Sequence, residues 1–412
     1  MDVKQFKVEL NVKTYKNDNV EGLFNFKFQS KEIKKDMFII KNGCYIVRRN
    51  EYDIQNYEDN MEFKMENSVI LFRIRESLIN KCFEIINPIR ENMPKKEKYI
   101  NNLYYHNAWY VIRSKEKSVD NYNRDYILNE NDIIKLGPKM YEIIKININI
   151  KNKEEIQNKN KLEEIQNKYN ISEINKKRGA IFNINLKPSE YIIDNQNINK
   201  KEKDEEINQK ECKKCGKLLS NENLIDNPLL SICLCKNYIH YKCLKEILKG
   251  NVIIKLISKN KNVIKYICEN FYCNECKIHY PLRFKISEKI YELIDLINPP
   301  PKTDFIMLES LNNKQNNTKI LYTVKFNNAL SDEKIYIGSL EQNNKIKNDI
   351  IDDELSQVHA ELKYDKKKGN IIIEDKGSTF GSSVLIKGNI KLTKEKINFQ
   401  IGRSYFSANL IN

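Results

Sequence analysis

Eight cysteine and histidine residues between positions 212 and 276 form four closely spaced pairs. Three of the pairs are cysteines separated by one or two residues, and the fourth is a histidine with a cysteine three positions later. Such pairs of soft S and N ligands are how proteins hold zinc in tetrahedral sites. Four pairs therefore predict two zinc ions. In chain order the ligands are Cys212, Cys215, Cys233, Cys235, His240, Cys243, Cys273 and Cys276.

The order of the pairs predicts an interleaved, cross-brace arrangement. The first and third pairs would hold one ion, and the second and fourth pairs the other. Four protein ligands leave no open coordination position, so each zinc would be structural and would contribute folding energy to a short segment. Cys268 and His279 lie nearby but outside any paired spacing. They are alternative ligands, although we expect a buried thiol and an exposed imidazole instead.

Residues 212–282 resemble the RING-CH (RING-variant) zinc fingers of E3 ubiquitin ligases. The resemblance is carried by NPLLSICLCKNYIHYKCLKEIL at residues 227–248 and by FYCNECKIHYPL at residues 271–282. Fingers of this family dock a ubiquitin-charged E2 enzyme on a shallow apolar surface and speed ubiquitin transfer without a covalent intermediate. By position, the resemblance implies E2 contacts at Lys214, Leu244 and Ile247.

Three features leave other functions open. Lys214 is charged where the family has an apolar residue, and Ile247 stands where a tryptophan is common. Both favour a non-catalytic adaptor. The short step from Cys235 to His240 is similar to PHD fingers, which read histone tails. No Ser-His-Asp arrangement or Gly-rich phosphate loop emerges, so the enzymatic hypothesis is a RING-type E3 ubiquitin transferase that acts by proximity.

The C-terminal segment at residues 335–406 resembles a forkhead-associated (FHA) domain, a β-sandwich that binds phosphothreonine peptides through its apical loops. The residues that carry the resemblance are NDI at 348–350, LSQVHAEL at 355–362, IIIEDKGSTFG at 371–381 and QIGR at 400–403. The family's Gly-Arg pair is Gly338-Ser339 here, so a lysine would have to supply the positive charge. The resemblance implies phosphopeptide contacts at Ser356, Gln357, Thr379, Lys345 and Lys347, and structural roles for His359, Gly338 and Gly381.

The rest of the chain completes a mainly β, multidomain fold class. In residues 1–147, Phe24, Phe26 and Phe28 alternate with polar residues, as in a half-buried strand. YILNENDIIKLGPKMYEII at residues 126–144 resembles the last two strands of an FHA domain, without an upstream Ser-x-x-His. The predicted organisation is a divergent FHA-like β domain (1–147), a low-complexity Lys/Asn/Glu linker (148–210), the finger (211–284), a helix and Pro-containing linker (285–318) and the FHA domain (319–412).

Charge and cysteine usage bound the partners and the compartment. The formal net charge is +15, but most of it is lysine dispersed among Asn, Ile and Glu, so we expect no nucleic-acid partner. No long apolar run or signal segment occurs, which argues against a membrane partner and against secretion. Cysteines in metal-ligand spacing suit the reducing cytoplasm or nucleus. The predicted function is a RING-CH-like E3 ligase or ligase-like protein that recruits phosphothreonine partners, or alternatively a phospho-dependent adaptor.

Overall fold

The structure of the 412-residue chain is a computed structural model. Its described residues form two compact units, Met1–Ile146 with Phe326–Asn412 (the β unit) and Asn147–Lys325 (the finger unit). The predicted strand at Phe24–Phe28, almost all of the predicted 148–210 linker, Lys345 and Lys347 lie outside the described residues. The described residues are 6–16, 32–50, 52–58, 69–77, 82–86, 108–112, 125–148, 211–217, 226–233, 235, 237–256, 262–277, 279–286, 289–294, 303–311, 318–326, 334–340, 348–366 and 368–411.

Strands dominate both units, so the prediction of a mainly β fold is confirmed. The N-terminal segment contains β1 (Lys7–Tyr15), β2 (Glu32–Ile40), β3 (Cys44–Arg48), β4 (Ile54–Glu58), β5 (Val69–Ser77), β6 (Cys82–Ile86), β7 (Trp109–Ile112), β8 (Asp125–Ile127), β9 (Ile133–Leu136) and β10 (Lys139–Asn147). The central segment contains β11 (Leu229–Leu230), β12 (Ile239–His240), α1 (Tyr241–Lys249), β13 (Val252–Leu256), β14 (Val263–Cys268), β15 (Arg283–Ile286), β16 (Lys289–Glu292), β17 (Asp304–Ser310) and β18 (Lys319–Phe326). The C-terminal segment contains β19 (Lys334–Gly338), β20 (Ile350–Ile351), β21 (Ala360–Asp365), β22 (Asn370–Asp375), β23 (Ser382–Leu385), β24 (Ile390–Lys391), β25 (Ile397–Ile401) and β26 (Ser404–Ile411).

Strands from the two ends of the chain are interleaved in the sheets of the β unit. One sheet contains the order β10-β9-β23-β7-β25-β26-β1-β2, in which β1 pairs with β26 from Lys7↔Ile411 to Thr14↔Ser404. Two further sheets have the orders β4-β3-β5-β6-β24 and β20-β19-β21-β22-β8. Each of these ends in a strand from the other half of the sequence.

The two closing segments, residues 125–147 and 390–411, have the same local structure. Each contains a short strand and then a hairpin with a two-residue turn. Leu136 pairs with Lys139 across the first turn, and Ile401 pairs with Ser404 across the second. Gly137 and Gly402 both have φ +54° at the turn. The N-terminal closing segment completes the strands β19–β23, and the C-terminal one completes β1–β7. The segments predicted as two domains are therefore joined in one unit.

A buried aromatic cluster packs the N-terminal strands against the C-terminal hairpin. The ring centroid of Phe72 lies 5.3 Å from that of Phe399 and 5.1 Å from that of Phe406. All three side chains are fully buried, together with Val8 and Leu10 of β1. Burying each such side chain contributes on the order of 1.5–3 kcal/mol, which offsets part of the cost of bringing distant segments together.

In the finger unit, β13, β14, β18 and β17 are neighbours in that order in one sheet. The hairpin β13–β14 accounts for the long step from Cys243 to Cys273, because it fills the sequence between them. The described residues contain one helix, α1, and no helix among them has the length and apolar character needed to cross a membrane.

The predicted helix in residues 285–318 is not present in the described part of that range. Lys289–Glu292 is the strand β16, antiparallel to β15, and Asp304–Ser310 is the buried strand β17. The cross-strand pair Phe284 and Tyr291 stacks with ring centroids 5.4 Å apart. Cross-strand aromatic pairing stabilises a hairpin that helical spacing of Ile and Leu alone does not reveal.

Candidate metal centres and the Ser356 loops

The structure brings the eight predicted metal ligands into two groups. Within each group all ligand atoms lie within 4.8 Å of one another. The grouping is the interleaved one that the cross-brace predicts: Cys212, Cys215, His240 and Cys243 form the first cluster, and Cys233, Cys235, Cys273 and Cys276 the second.

In each cluster, one distance between two ligand atoms fits a tetrahedral metal ion. The Sγ of Cys215 lies 3.4 Å from Nδ1 of His240, and the Sγ atoms of Cys235 and Cys273 are 3.8 Å apart. A tetrahedral ion with bonds of ~2.3 Å to sulfur and ~2.0 Å to nitrogen separates its ligand atoms by roughly 3.5–3.8 Å. Both clusters therefore have the donor atoms and the spacing to hold a metal ion.

The thiols of each cluster have divergent pKa values. Burial raises the pKa of Cys212, but backbone N–H donors from His240, Cys215 and Lys214 outweigh burial and lower it to about 6. Burial and neighbouring thiols raise the pKa of Cys243 to about 12. In the second cluster the pKa of Cys233 is likewise raised to about 12, first by burial. Crowded thiols cannot all ionise beside one another, whereas a bound dication favours their thiolate forms.

The helix α1 begins at the first cluster and fixes the position of Cys243. His240 is its N-cap residue but makes no side-chain cap bond, since Nδ1 faces the cluster. The side chain of Asn227 replaces that cap by accepting a 2.8 Å hydrogen bond from the backbone N–H of Lys242. Leu244 and Leu248 are buried one turn apart on the inner face of the helix.

A cleft of about 630 Å³ lies beside both clusters and contains all three predicted E2-contact residues. Leu244 is part of its buried lining, whereas Ile247 is 47% exposed. Lys214 forms an ion pair with Glu246 at the rim, which raises the pKa of Lys214. Its other lining residues are Lys213, Ile232, Cys233, Asn237, Tyr238, Ile239, Leu248, Asn251, Asn270, Tyr272, Cys273, Asn274, Glu275 and Tyr280.

The alternative ligands Cys268 and His279 belong to neither metal cluster. Cys268 is fully buried at the end of β14, and burial raises the pKa of its thiol to about 12. The exposed His279 ring lies edge-on to Tyr272, with centroids 5.9 Å apart. These placements match the buried thiol and exposed imidazole expected for the two residues.

In the β unit, three of the five predicted phosphopeptide residues, Ser356, Gln357 and Thr379, lie in two loops, residues 352–359 and 376–381 (the Ser356 loops). The hydroxyl of Ser356 accepts a 2.9 Å hydrogen bond from the backbone N–H of Thr379, which joins the loops. Gln357 is exposed beside Ser356. A hydroxyl that accepts one such bond keeps its own proton to donate to a ligand.

His359 braces these loops from beneath. The ring is fully buried; Nδ1 accepts from the N–H of Ser356 at 3.4 Å, so Nε2 donates to the carbonyl of Gly381 at 3.1 Å. Burial lowers the pKa of His359, against the opposing charge of Asp375. Its arrangement is that of a neutral, structural histidine.

The two predicted structural glycines, Gly338 and Gly381, are suited to glycine for different physical reasons. A Cβ at Gly338 would lie 2.4 Å from the carbonyl oxygen of Gln357, so a side chain there has no room. Gly381 has φ +75°, a conformation that glycine adopts without strain.

Four residues important to these sites were not predicted as site residues, although each lies in a segment that carries one of the two resemblances. Buried Asp375 accepts bonds from the N–H groups of Gly377 and Ser378 and from the hydroxyls of Ser378 and Ser382. Its signal was the Asp-x-Gly-Ser turn. Asn348 donates to the carbonyls of Leu340 and Gln357. The third residue is Asn227, which caps α1. The fourth is Tyr280, whose hydroxyl hydrogen-bonds with Cys273; the pKa of Tyr280 is raised, chiefly by burial.

No family model matches the chain, and neither a curated protein nor a solved structure matches it.

Proposed function

We propose that the chain is a RING-CH-like E3 ubiquitin ligase or ligase-like protein with two structural zinc ions. Its finger would hold a ubiquitin-charged E2 in the cleft beside α1, and transfer would follow from proximity to a substrate lysine. The observation that carries the proposal is the convergence of Lys214, Leu244 and Ile247 on one cleft between the metal-ligand loops.

The chemistry of the cleft suits a docking surface. Its floor is apolar, from Ile232, Leu244 and Leu248, and Ile247 offers an exposed apolar contact. The ion pairs Lys213–Glu275 and Lys214–Glu246 lie at its rim. An apolar centre with a polar rim is the usual composition of a protein-binding patch. Zinc would supply folding energy to this surface and no chemistry of its own, since all four ligands of each ion are protein side chains.

The decisive experiment is discharge of ubiquitin from a panel of E2 enzymes, using the full chain shown to carry two zinc ions. We expect the wild type to accelerate discharge and Ile247→Asp to abolish the acceleration, because a charge replaces the exposed apolar contact. Ile253→Asp is the matched control: Ile253 is similarly exposed at 41% but does not line the cleft. Loss of acceleration in both variants would argue against docking in the cleft.

No acceleration with any E2 would reject the ligase function. The protein would then act as a non-catalytic adaptor, in which the finger is a folded interaction module. Binding of unmodified histone tails in the same cleft would instead support a PHD-like reader.

The Ser356 loops support a second function, recruitment of phosphothreonine-containing partners. The favouring observation is that the Ser356 hydroxyl accepts a hydrogen bond from the backbone N–H of Thr379. A hydroxyl that is held as an acceptor in this way can donate its own proton to a phosphate oxygen. We expect Ser356→Ala to abolish selective capture of phosphothreonine peptides, with Ser383→Ala, on strand β23, as the control. Equal capture of phosphorylated and plain peptides by the wild type would contradict recruitment.

A further inference from the structure

The turn of the β9–β10 hairpin places a buried lysine against the first of the Ser356 loops. Lys139 is 7% exposed, and its Nζ lies 3.1 Å from Oε1 of Glu354 and 3.4 Å from Oδ2 of Asp352. The two carboxylates precede Ser356 by two and four positions. A residue of the N-terminal segment thus contacts the loop that carries the hydroxyl of the candidate site.

The charge of this loop explains why a cation is needed there. Asp352, Asp353 and Glu354 are three consecutive acidic residues immediately before Leu355 and Ser356. Neighbouring carboxylates repel one another and also repel an anionic ligand. A largely buried ammonium at this point offsets the repulsion more strongly than an exposed lysine does, because solvent screens it less.

Asp352 fixes the first turn of the loop through three hydrogen bonds. Its N–H donates to the carbonyl of Gly338 at 3.0 Å, and its own carbonyl accepts from Leu355 at 3.1 Å. Its Oδ1 accepts from the N–H of Glu354 at 3.1 Å, and Oδ2 faces Lys139. One carboxylate oxygen of Asp352, Oδ1, therefore bonds within the loop, and the other, Oδ2, pairs with Lys139. This ion pair orients the start of the loop.

We propose that Lys139 is a positioning residue of the Ser356 site. It acts through Asp352 and Glu354 to keep the Ser356 hydroxyl opposite the Thr379 amide. The site is consequently composite: its loops come from the C-terminal segment, and the cation that sets them comes from the N-terminal hairpin. Only the ligand in this proposal rests on the proposed recruitment function.

The first test is hydrogen–deuterium exchange of the full, zinc-loaded chain without ligand. We expect Lys139→Met to speed exchange of the amides at 353–357 and at Thr379 by about tenfold, because the acidic loop opens locally. Lys139→Arg, which keeps the charge, should stay close to the wild type. Lys391→Met, in the same unit but at an exposed position on β24, is the control and should leave the loop unchanged.

A charge-neutral variant separates electrostatic positioning from packing. In Lys139→Met combined with Asp352→Asn and Glu354→Gln, both carboxylates that contact Lys139 are neutral as well, so exchange should return toward the wild type. This variant also carries the test if Lys139→Met alone unfolds. Unchanged exchange in Lys139→Met, or no recovery in the combined variant, would overturn the proposal.

The second test measures capture of a phosphothreonine peptide mixture by the same proteins. We expect capture to fall about tenfold in Lys139→Met and to persist in Lys139→Arg and Lys391→Met. Equal capture by Lys139→Met would overturn its role in binding. A wild type that captures nothing would reject recruitment alone, because the exchange experiment decides the role of Lys139 without a ligand.

Discussion

The backbone amide of Gly137 and the imidazole of His359 share one acceptor, the carbonyl oxygen of Gly381, at 3.1 Å each. Gly137 lies in the N-terminal hairpin, whereas the other two residues are C-terminal. A Cβ at position 137 would lie 3.2 Å from Cε1 of His359. The hairpin turn thus closes directly against the histidine that braces the Ser356 loops.

Gly137→Ala should destabilise the β unit by about 1–3 kcal/mol, since φ is +54° there and the added methyl crowds His359. Urea unfolding followed by fluorescence measures this, because the only tryptophan, Trp109, is buried in β7. Gly388→Ala is the matched control, with nothing within 4 Å of its Cβ. Equal midpoints for the two variants would contradict the close contact.

The stability of the β unit should fall as the pH drops below about 6.5, the ordinary pKa of histidine. Burial lowers the pKa of His359, so the unfolded chain takes up a proton at a higher pH than the folded chain does. The contribution is therefore complete above about pH 6.5 and is lost as the pH falls toward the folded pKa. Protonation would also remove the acceptor used by Ser356.

Urea unfolding of the wild type and of His359→Gln between pH 5 and 8 measures this contribution. Acidic side chains affect both proteins alike, so the difference in slope isolates His359. Parallel slopes would show that His359 does not titrate differently on folding.

Lys135→Met should stabilise the β unit at pH 7, by about 1–3 kcal/mol. Burial lowers the pKa of Lys135 to about 7, and its Nζ lies 5.8 Å from the centre of the Trp109 ring. The unfolded chain holds the proton up to pH ~10.4, so the wild type gains stability as the pH rises from 7 toward 10. The advantage of methionine should shrink over that range.

Lys145→Met serves as the control for Lys135→Met, because Lys145 is an exposed lysine on the neighbouring strand β10. We expect a change within about 0.5 kcal/mol for that variant. A destabilised Lys135→Met would mean that the ammonium makes contacts worth more than its burial costs.

Metal content should be two ions per chain in the wild type and at most one in Cys235→Ser, which removes a ligand of the second cluster. Cys268→Ser should retain both ions, since Cys268 belongs to neither cluster. Elemental analysis of purified protein measures this directly. Two ions in Cys235→Ser would contradict the ligand set.

Phe406→Ala should destabilise the β unit by about 3–5 kcal/mol, although Phe406 lies near the C-terminus. Its ring packs against Phe72 and stacks on Phe399 at 5.1 Å each. Hydrogen exchange should become faster in β1 as well as in β26, because the two strands are paired. Exchange confined to β26 would contradict the interleaved sheets.

The ligand pairing of the two metal clusters followed from the sequence by itself. Spacing within each pair is a local property, and four pairs admit few arrangements, so the sequence predicts that Cys212 and Cys243 share one ion. The β character of both ends followed for the same reason, since strand alternation and the turns at Gly137 and Gly402 are local signals.

Only the tertiary structure decided which strands pair. The hairpins at 133–147 and 397–411 have equivalent turns and a similar alternation of apolar and polar residues. From sequence, either hairpin could therefore pair with the edge strand of either group. Which hairpin joins which set of strands depends on burial across the whole unit, as in the packing of Phe72 on Phe406. Lys139 could not be linked to Ser356 from sequence for that reason: a charge that is ordinary on a strand becomes part of a site only when a distant loop meets it.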